Sequence, residues 1–172
     1  MKLTRMRELL LCKAVPPQWR AAYAALLADT GLRDEGHTDI TALLTEDDVL
    51  LGCGSLGGKV IRQVAVSPAA EGQDACARIV SALVQESVKR GTPYPFLFTK
   101  PQTAQLFRSL GFYPVVKTAD MVMLCRQRDA LVRFLESLPR WQEGVTGCVV
   151  CHANPFTRGH LHLIATASAQ CD

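Results

Sequence analysis

The segment from Ile40 to Arg90 constrains the fold most, because several apolar strands in it run directly into one long amphipathic helix. The predicted strands are Ile40 to Leu44, Asp48 to Ser55 and Val60 to Val66. The helix is predicted from about Asp74 to Arg90, where apolar side chains recur at helical spacing. A meander of this kind has to bury one face under the helix, which favours an α/β (α+β) domain with a mostly antiparallel sheet.

Further elements are predicted on both sides of this segment. A short strand and a helix over Gln18 to Ala28 come before it. After it come a strand over Pro95 to Thr99, a helix over Thr103 to Leu110, a strand pair over Phe112 to Val116 and Met121 to Cys125, and a helix over Arg126 to Leu138. We therefore predict a first domain over 1–138, a polar linker over 139–146 and the start of a second fold over 147–172.

Composition and charge bear on which partners the protein binds and on which cellular compartment it occupies. The 172 residues carry a net charge of only +3, too mild and too dispersed to indicate a nucleic-acid or membrane partner. The sequence has no run near the ~18 apolar residues that a membrane-spanning helix needs. Seven cysteines without an export signal favour reduced thiols, and hence a cytoplasmic protein.

The last 26 residues carry the most specific motif. A strand is predicted over Gly147 to His152, followed by a turn at Asn154-Pro155-Phe156 and by a helix that opens with Thr157-Arg158-Gly159-His160. A phosphate site needs a helix N-terminus, hydroxyl and imidazole donors and a glycine for close backbone approach. Thr157, His160 and Gly159 supply these parts, and His160 is the candidate catalytic residue. The alternative is that Thr157 merely caps the helix and His160 is structural.

The two cysteines before this motif admit other hypotheses. Cys148-x-x-Cys151-His152 matches a haem attachment pattern, and Cys148, Cys151, His160 and His162 could be considered as zinc ligands. A strand of period two places the two cysteines on opposite faces, whereas either site needs a tight turn between them. A dithiol redox site fails for the same reason. No metal site is therefore predicted.

The first domain resembles the GNAT acetyltransferases. The likeness lies in the order of elements, in Val64-Ala65-Val66-Ser67-Pro68 before the long helix and in Leu106-Phe107-Arg108-Ser109-Leu110-Gly111-Phe112. In that family the loop before the long helix holds the pyrophosphate of acetyl-CoA, and many members have a tyrosine as general acid.

This chain departs from the GNAT pattern at both places. Around Gly72, Glu71 and Asp74 stand where a basic or amide residue and a second glycine are usual, and Phe107 stands at the tyrosine position. Carboxylates there would cap and stabilise the helix but repel a polyanion. The resemblance therefore implies a degenerate acyl-CoA loop and makes acetyl-CoA doubtful as a cofactor.

Both halves together resemble the citrate lyase ligase family. The likeness includes the T-x-G-H motif, which is similar to that of the nucleotidyltransferase superfamily, Thr99-Lys100-Pro101 and the final Ala169-Gln170-Cys171-Asp172. The resemblance implies that ATP with Mg²⁺ activates acetate as acetyl-adenylate. The acetyl group then passes to the thiol of the CoA-derived prosthetic group on the citrate lyase acyl-carrier subunit.

The same resemblance implies which residues act and how much of the protein is present. The ATP-binding residues would be Asn154, Pro155, Phe156, Thr157, Gly159 and His160. Because proteins of the family continue further, a truncated form with an incomplete Rossmann-like fold is expected. Two other functions stay open: a stand-alone GNAT acyltransferase, and a non-catalytic domain that docks the acyl-carrier subunit.

Overall fold

One seven-stranded sheet forms the centre of the first of two units, Met1–Leu131 and Val132–Asp172. The computed structural model describes residues 7–36, 38–72, 74–138 and 144–171. The strands are β1 (Arg7–Cys12), β2 (Ile40–Glu46), β3 (Val49–Gly57), β4 (Val60–Val66), β5 (Phe96–Thr99), β6 (Tyr113–Lys117) and β7 (Val122–Cys125). Their order is β1-β2-β3-β4-β5-β7-β6, and only the β4–β5 pair is parallel. The predicted meander and mostly antiparallel sheet are confirmed.

The predicted helices are also present, with ends that differ by a few residues. They are α1 (Arg20–Asp29), α2 (Ala75–Lys89), α3 (Ala104–Ser109), α4 (Ala130–Ser137) and α5 (Arg158–Ser168). Short 3-10 turns at Pro17–Trp19 and Pro68–Ala70 lead into the segments before α1 and α2. Proline fixes φ near the helical value, so both turns begin where the sequence places proline.

The apolar stripes of α1 and α2 form two separate clusters with the sheet. Ile79 and Leu83 of α2 are fully buried together with β2, β3 and β4 residues in the larger cluster. Tyr23 and Leu27 of α1 are buried in the other. On β3, a Cβ at Gly54 would lie 2.7 Å from Ile79 Cγ2. The absence of a side chain at this glycine therefore sets how closely α2 approaches the sheet.

The parallel contact between β4 and β5 is short. Only Val60↔Phe96 and Ile61↔Leu97 are paired, and the Phe96 N–H donates to the Lys59 carbonyl over 2.8 Å. Residues 62–66 of β4 continue beyond this contact without a partner on β5. The register of β4 against β3 also shifts in this region, where Gln63 has a φ of +54°. The two strands thus leave a gap between them.

The strand predicted over Gly147 to His152 is wrong. This stretch has no strand pairing within residues 144–171, and Val150 is 93% exposed. A strand depends on hydrogen bonds to a neighbour, and the described part of the second unit offers none. The helix predicted after it is correct, as α5. Residues 139–143 of the predicted linker lie outside the described residues, so the boundaries of the linker stay a prediction.

Burial of Cys53 predicts a loss of stability in alkaline solution. Burial raises the pKa of the Cys53 thiol from 9.0 to about 12, although a hydrogen bond from the backbone lowers it slightly. Above pH 9 the unfolded chain loses this proton while the folded chain keeps it. The free energy of unfolding should therefore fall by about 1 kcal/mol per pH unit up to the folded pKa.

The measurement is urea unfolding of the native chain and of Cys53→Ala at pH 8 and pH 10.5. The native chain should lose about 1–2 kcal/mol more than the variant between these pH values. Part of the slope should survive in the variant, because burial also raises the pKa of Tyr23 to about 12 and of Cys76 to about 11. Equal losses in the two proteins would contradict the assignment to Cys53.

Candidate functional site

The start of α5 is held by a reciprocal set of hydrogen bonds between Thr157 and His160. Thr157 is the extended N-cap residue, and its Oγ1 accepts from the His160 N–H over 3.5 Å. In return the Thr157 N–H donates to His160 Nδ1 over 3.0 Å. The two side chains also meet directly, with 2.8 Å between Oγ1 and Nδ1. This is a capping box in which histidine takes the place usual for Glu or Gln.

The capping box determines the tautomer of His160. A backbone N–H can only donate, so Nδ1 must accept and carries no proton. In the neutral ring the proton then lies on Nε2, which takes no part in the box. His160 therefore keeps one N–H donor for a ligand while its other nitrogen stabilises the helix. The structural and the phosphate-binding interpretations of His160 are compatible.

The other predicted residues of the motif lie around this box. The Phe156 ring stacks on the His160 ring, with centroids 5.6 Å apart and 29° between the planes. Asn154-Pro155 form a turn with a cis peptide bond. A Cβ at Gly159 would meet Thr157 Oγ1 only at 3.6 Å, an ordinary contact. Among the described residues, no contact with Gly159 excludes a side chain at this position.

A second candidate site is a cavity of about 840 Å³ in the first unit. It lies where β4 and β5 separate, and its wall includes the start of α2 and one side of α3. Apolar lining residues are Val64, Val66, Leu97, Leu106, Phe107 and Met121, and charged ones include Arg62, Glu71, Asp74, Lys100 and Asp120. Leu106 and Met121 were not predicted as site residues. Their position at the cavity depends on where the β4–β5 pairing ends, and no sequence signal indicates that point.

The acidic loop at the edge of this cavity has the backbone of a glycine-rich turn. Gly72 and Asp74 both have left-handed backbones, with φ of +70° and +57°. Asp74 is the N-cap residue of α2, but its carboxylate accepts no capping hydrogen bond. The expectation that it caps the helix is therefore wrong, because the left-handed backbone is not the extended conformation of a capping residue. The loop's role as a degenerate acyl-CoA loop stays a prediction.

Substitution of Asp74 and substitution of Gly72 should have opposite effects on the free energy of unfolding. Asp74→Gly removes a left-handed non-glycine residue and should raise the free energy of unfolding by about 0.5–1 kcal/mol. Gly72→Ala should lower it by about 1 kcal/mol, although a Cβ there would meet no atom within 4 Å. Thermal unfolding of both variants checks the pair. A decrease for both would show that the carboxylate of Asp74 stabilises the loop.

Phe107 lies in the core as well as at the cavity. It is 7% exposed and belongs to the cluster under α2, so it supplies packing and has no proton to donate.

The described residues contain neither a metal-binding cluster nor a membrane-spanning helix. No group of three His, Cys, Asp or Glu side chains there could hold a metal ion. All seven cysteines are free thiols, and Cys148 and Cys151 are exposed. No described helix is both long enough and apolar enough to cross a membrane.

Comparison with known proteins shows similarity to citrate lyase ligases. Residues 146–172 match the family model described as the citrate lyase ligase C-terminal domain. The chain is 32% identical over 155 residues to the [citrate [pro-3S]-lyase] ligase of Escherichia coli (strain K12), which covers 88% of this chain and 44% of that protein. The chain is therefore similar to a citrate lyase ligase over most of its own length. The ligase of Klebsiella pneumoniae is 31% identical over 156 residues, with 89% of this chain and 46% of that protein covered.

This similarity to citrate lyase ligases confirms the resemblance drawn from the motifs. These relatives are named as ligases and are enzymes. The chain spans about half the length of the curated relatives it matches.

Among solved structures, an acyl-CoA N-acyltransferase from Pseudomonas aeruginosa superimposes with a TM-score of 0.61. The two sequences are 15% identical, and the match covers 71% of this chain and 100% of that one. At this identity the likeness shows the fold alone. The predicted GNAT-like fold class is confirmed.

Proposed function

We propose that the chain provides the ATP-phosphate site of an ATP-dependent ligase that acetylates the acyl-carrier subunit of citrate lyase. The observation that carries this proposal is the Thr157–His160 box at the start of α5, inside the stretch that matches the family's C-terminal domain. A helix N-terminus is a ready site for phosphate oxygens. The proposal extends to a cytoplasmic location, as free thiols throughout the chain favour.

In the proposed first step, an oxygen of acetate attacks the α-phosphorus of ATP and pyrophosphate leaves. Negative charge builds on the α-phosphate oxygens in the transition state. His160 Nε2–H and the free N–H groups of the first turn of α5 are suited to stabilise that charge. Phe156, stacked on His160, would fix the orientation of the imidazole.

In the proposed second step, the carrier's thiolate attacks the carbonyl of acetyl-adenylate, and AMP leaves as the thioester forms. Mg²⁺, which the resemblance implies, would neutralise charge on the phosphates. With no group of three candidate ligands among the described residues, ATP's own oxygens would be its main ligands.

A stand-alone acyltransferase is the second candidate, and the cavity between β4 and β5 is the observation that favours it. Glu71 and Asp74 beside the cavity disfavour bound acetyl-CoA, and Phe107 cannot act as an acid. Acetyl transfer from acetyl-CoA to the carrier without ATP would support this candidate over the ligase.

The direct test is an NMR titration of the histidine ring signals with ATP and Mg²⁺. His162 lies two residues further along α5 and outside the capping box, so it is a matched control within the same helix. The His160 ring signals should shift and saturate, whereas those of His162 should stay nearly constant. Shifts of equal size at both rings, or at neither, would overturn the proposed ATP site.

A further inference from the structure

We propose that one corner of the sheet in the first unit docks the acyl-carrier subunit of citrate lyase and recognises an acidic face of that protein. This docking corner consists of Arg108, Arg126 and Arg128 together with Tyr94 and Tyr113. The identity of the partner rests on the proposed function, whereas the surface and the charge that it selects come from the structure. None of the five residues lines the cavity between β4 and β5.

The charge of the first unit is small in sum but unevenly distributed. Residues 100–128 carry five cations and one carboxylate, whereas residues 29–48 carry one cation and seven carboxylates. The cations of the first range are Lys100, Arg108, Lys117, Arg126 and Arg128. This range contains α3, β6 and β7, so the positive charge lies toward the β6 edge of the sheet. A surface of one sign attracts and orients a partner of the opposite sign.

Arg126 holds its charge in a fixed position at the end of β7. Its guanidinium lies over the Phe112 ring, 5.8 Å from the ring centroid. Its Nη1 donates to the Leu110 carbonyl over 3.3 Å, and its backbone N–H donates to the Pro95 carbonyl over 3.2 Å. Because the side chain is already ordered, a partner that binds it pays less in conformational entropy.

The other two arginines extend the positive charge around Arg126. Arg128 follows it by two residues, and Arg108 lies in the last turn of α3, two residues before Leu110. All three arginines are exposed. Within the described part of the chain, none of the three forms an ion pair with a carboxylate. Their charge is therefore available to a partner.

Two tyrosines supply apolar surface beside these cations. Tyr113 begins β6 and is paired with Cys125, the residue before Arg126. The Tyr94 carbonyl accepts from the Cys125 thiol over 3.8 Å. Tyr113 is 40% exposed and Tyr94 is 51% exposed. Tyrosine and arginine are enriched at the centres of protein interfaces, so the corner has the composition of a protein-binding surface.

A second copy of the chain does not suit this corner. The acidic turn with Asp47 and Asp48 lies beside the start of β3 and the end of β4, whereas Arg126 follows the end of β7 that pairs with the start of β5. Because β4 and β5 are parallel, the two groups lie at diagonally opposite corners of the sheet. Contact between opposite corners joins copies head to tail in open-ended chains. The acidic partner is therefore a different protein, and the proposed reaction has one protein substrate, the carrier.

Calorimetric titration of the full chain with purified acyl-carrier subunit tests the docking. Arg108→Glu with Arg128→Glu should weaken carrier binding at least about tenfold. Both side chains are exposed and outside the core, so folding is retained. Lys13→Glu with Arg20→Glu is the matched control, because it makes the same change in net charge at exposed positions of the β1–α1 segment. It should change carrier affinity by less than about twofold.

The tyrosines and the prosthetic group separate docking of the protein from binding of its thiol arm. Tyr113→Ala should weaken carrier binding about three- to tenfold. Val49→Ala, at an exposed apolar position at the opposite end of the sheet, should have no effect. Carrier with and without its prosthetic group should bind with Kd values within about twofold of each other, since the corner contacts the protein surface.

Several outcomes would overturn the docking corner. They are absence of carrier binding, unchanged binding in Arg108→Glu with Arg128→Glu, and equal weakening by this variant and its control. Tighter binding of single-stranded RNA or of phosphatidylserine vesicles than of the carrier would show another class of partner. Self-association in sedimentation experiments that the same double variant abolishes would show that a second copy occupies the corner.

The docking corner and the ATP site fail separately in these experiments. Saturating His160 shifts with ATP, together with carrier binding that ignores the charge reversal, would keep the ATP site and remove the docking corner. Carrier binding that the reversal weakens, without an ATP response at His160, would keep the docking corner and overturn the ligase proposal. The double variant itself should leave the ATP response of His160 unchanged.

Discussion

Replacement of His160 by glutamine is expected to weaken ATP binding about 10- to 100-fold while α5 stays folded. Glutamine is a preferred residue at this position of a capping box, so the bond from the Thr157 N–H survives. The Nε2–H donor is lost, and a hydrogen bond to a charged partner contributes about 1.5–3 kcal/mol. ATP titration by calorimetry, with circular dichroism for helix content, measures both effects.

His162→Gln is the control for this substitution, because His162 lies on the same helix and outside the capping box. It should change neither ATP affinity nor helix content. Thr157→Ala should behave differently from both. It removes the cap, which should lower the free energy of unfolding by about 1 kcal/mol, and it should also weaken ATP binding. Unchanged ATP affinity in His160→Gln would mean that His160 serves only as part of the cap.

The sheet and helices of the first unit could be predicted because their sequence periods agree with their burial. Burial along β4 alternates with the period of two typical of a strand, although the polar Gln63 is among the buried positions and the valines are half-buried. The apolar positions of α2 at helical spacing are those buried against the sheet. In both elements local pattern and long-range packing favour the same structure.

The features that could not be predicted depend on partners distant in sequence. Cys148 to Cys151 has the composition of a buried strand, but the described second unit provides no neighbouring strand. Asp74 directly precedes α2 and is of a residue type typical of a capping position, yet its left-handed backbone prevents this. The gap beside β4 arises from where the β4–β5 pairing ends, which no local pattern encodes.

The candidate site at α5 was predictable in identity but not in geometry. The T-x-G-H spacing places Thr157 and His160 within one helical turn, so their proximity follows from the sequence. That Nδ1 accepts the Thr157 N–H, and so leaves the proton on Nε2, depends on the ring's rotation. In this rotation the His160 ring stacks on Phe156, a contact that spacing alone does not specify.

Substitution of valine for Gly54 is expected to lower the free energy of unfolding by about 3 kcal/mol. Its Cβ would lie 2.7 Å from Ile79 Cγ2 and 3.0 Å from Leu83 Cδ1, inside a fully buried cluster. Overpacking of a well-packed core costs about 1–3 kcal/mol, and valine adds two methyl groups to the Cβ. For a chain of this length the melting temperature should fall by about 6–12 °C.

The cause of this loss can be separated from a backbone effect with a double-mutant cycle. Ile79→Ala alone removes core volume and should destabilise by about 2–5 kcal/mol, but combined with Gly54→Val it makes room for the new side chain. The loss in the double variant should therefore be smaller than the sum of the two single losses, with a coupling of at least about 1 kcal/mol.

Gly58→Ala is the control for a backbone effect, because Gly58 has a φ of +57° and a Cβ there would meet nothing within 4 Å. It should lower the free energy of unfolding by about 1 kcal/mol without coupling to Ile79. Additive losses in the cycle would show that α2 shifts away from β3 without resistance, and the close approach at Gly54 would then not fix the wall of the cavity.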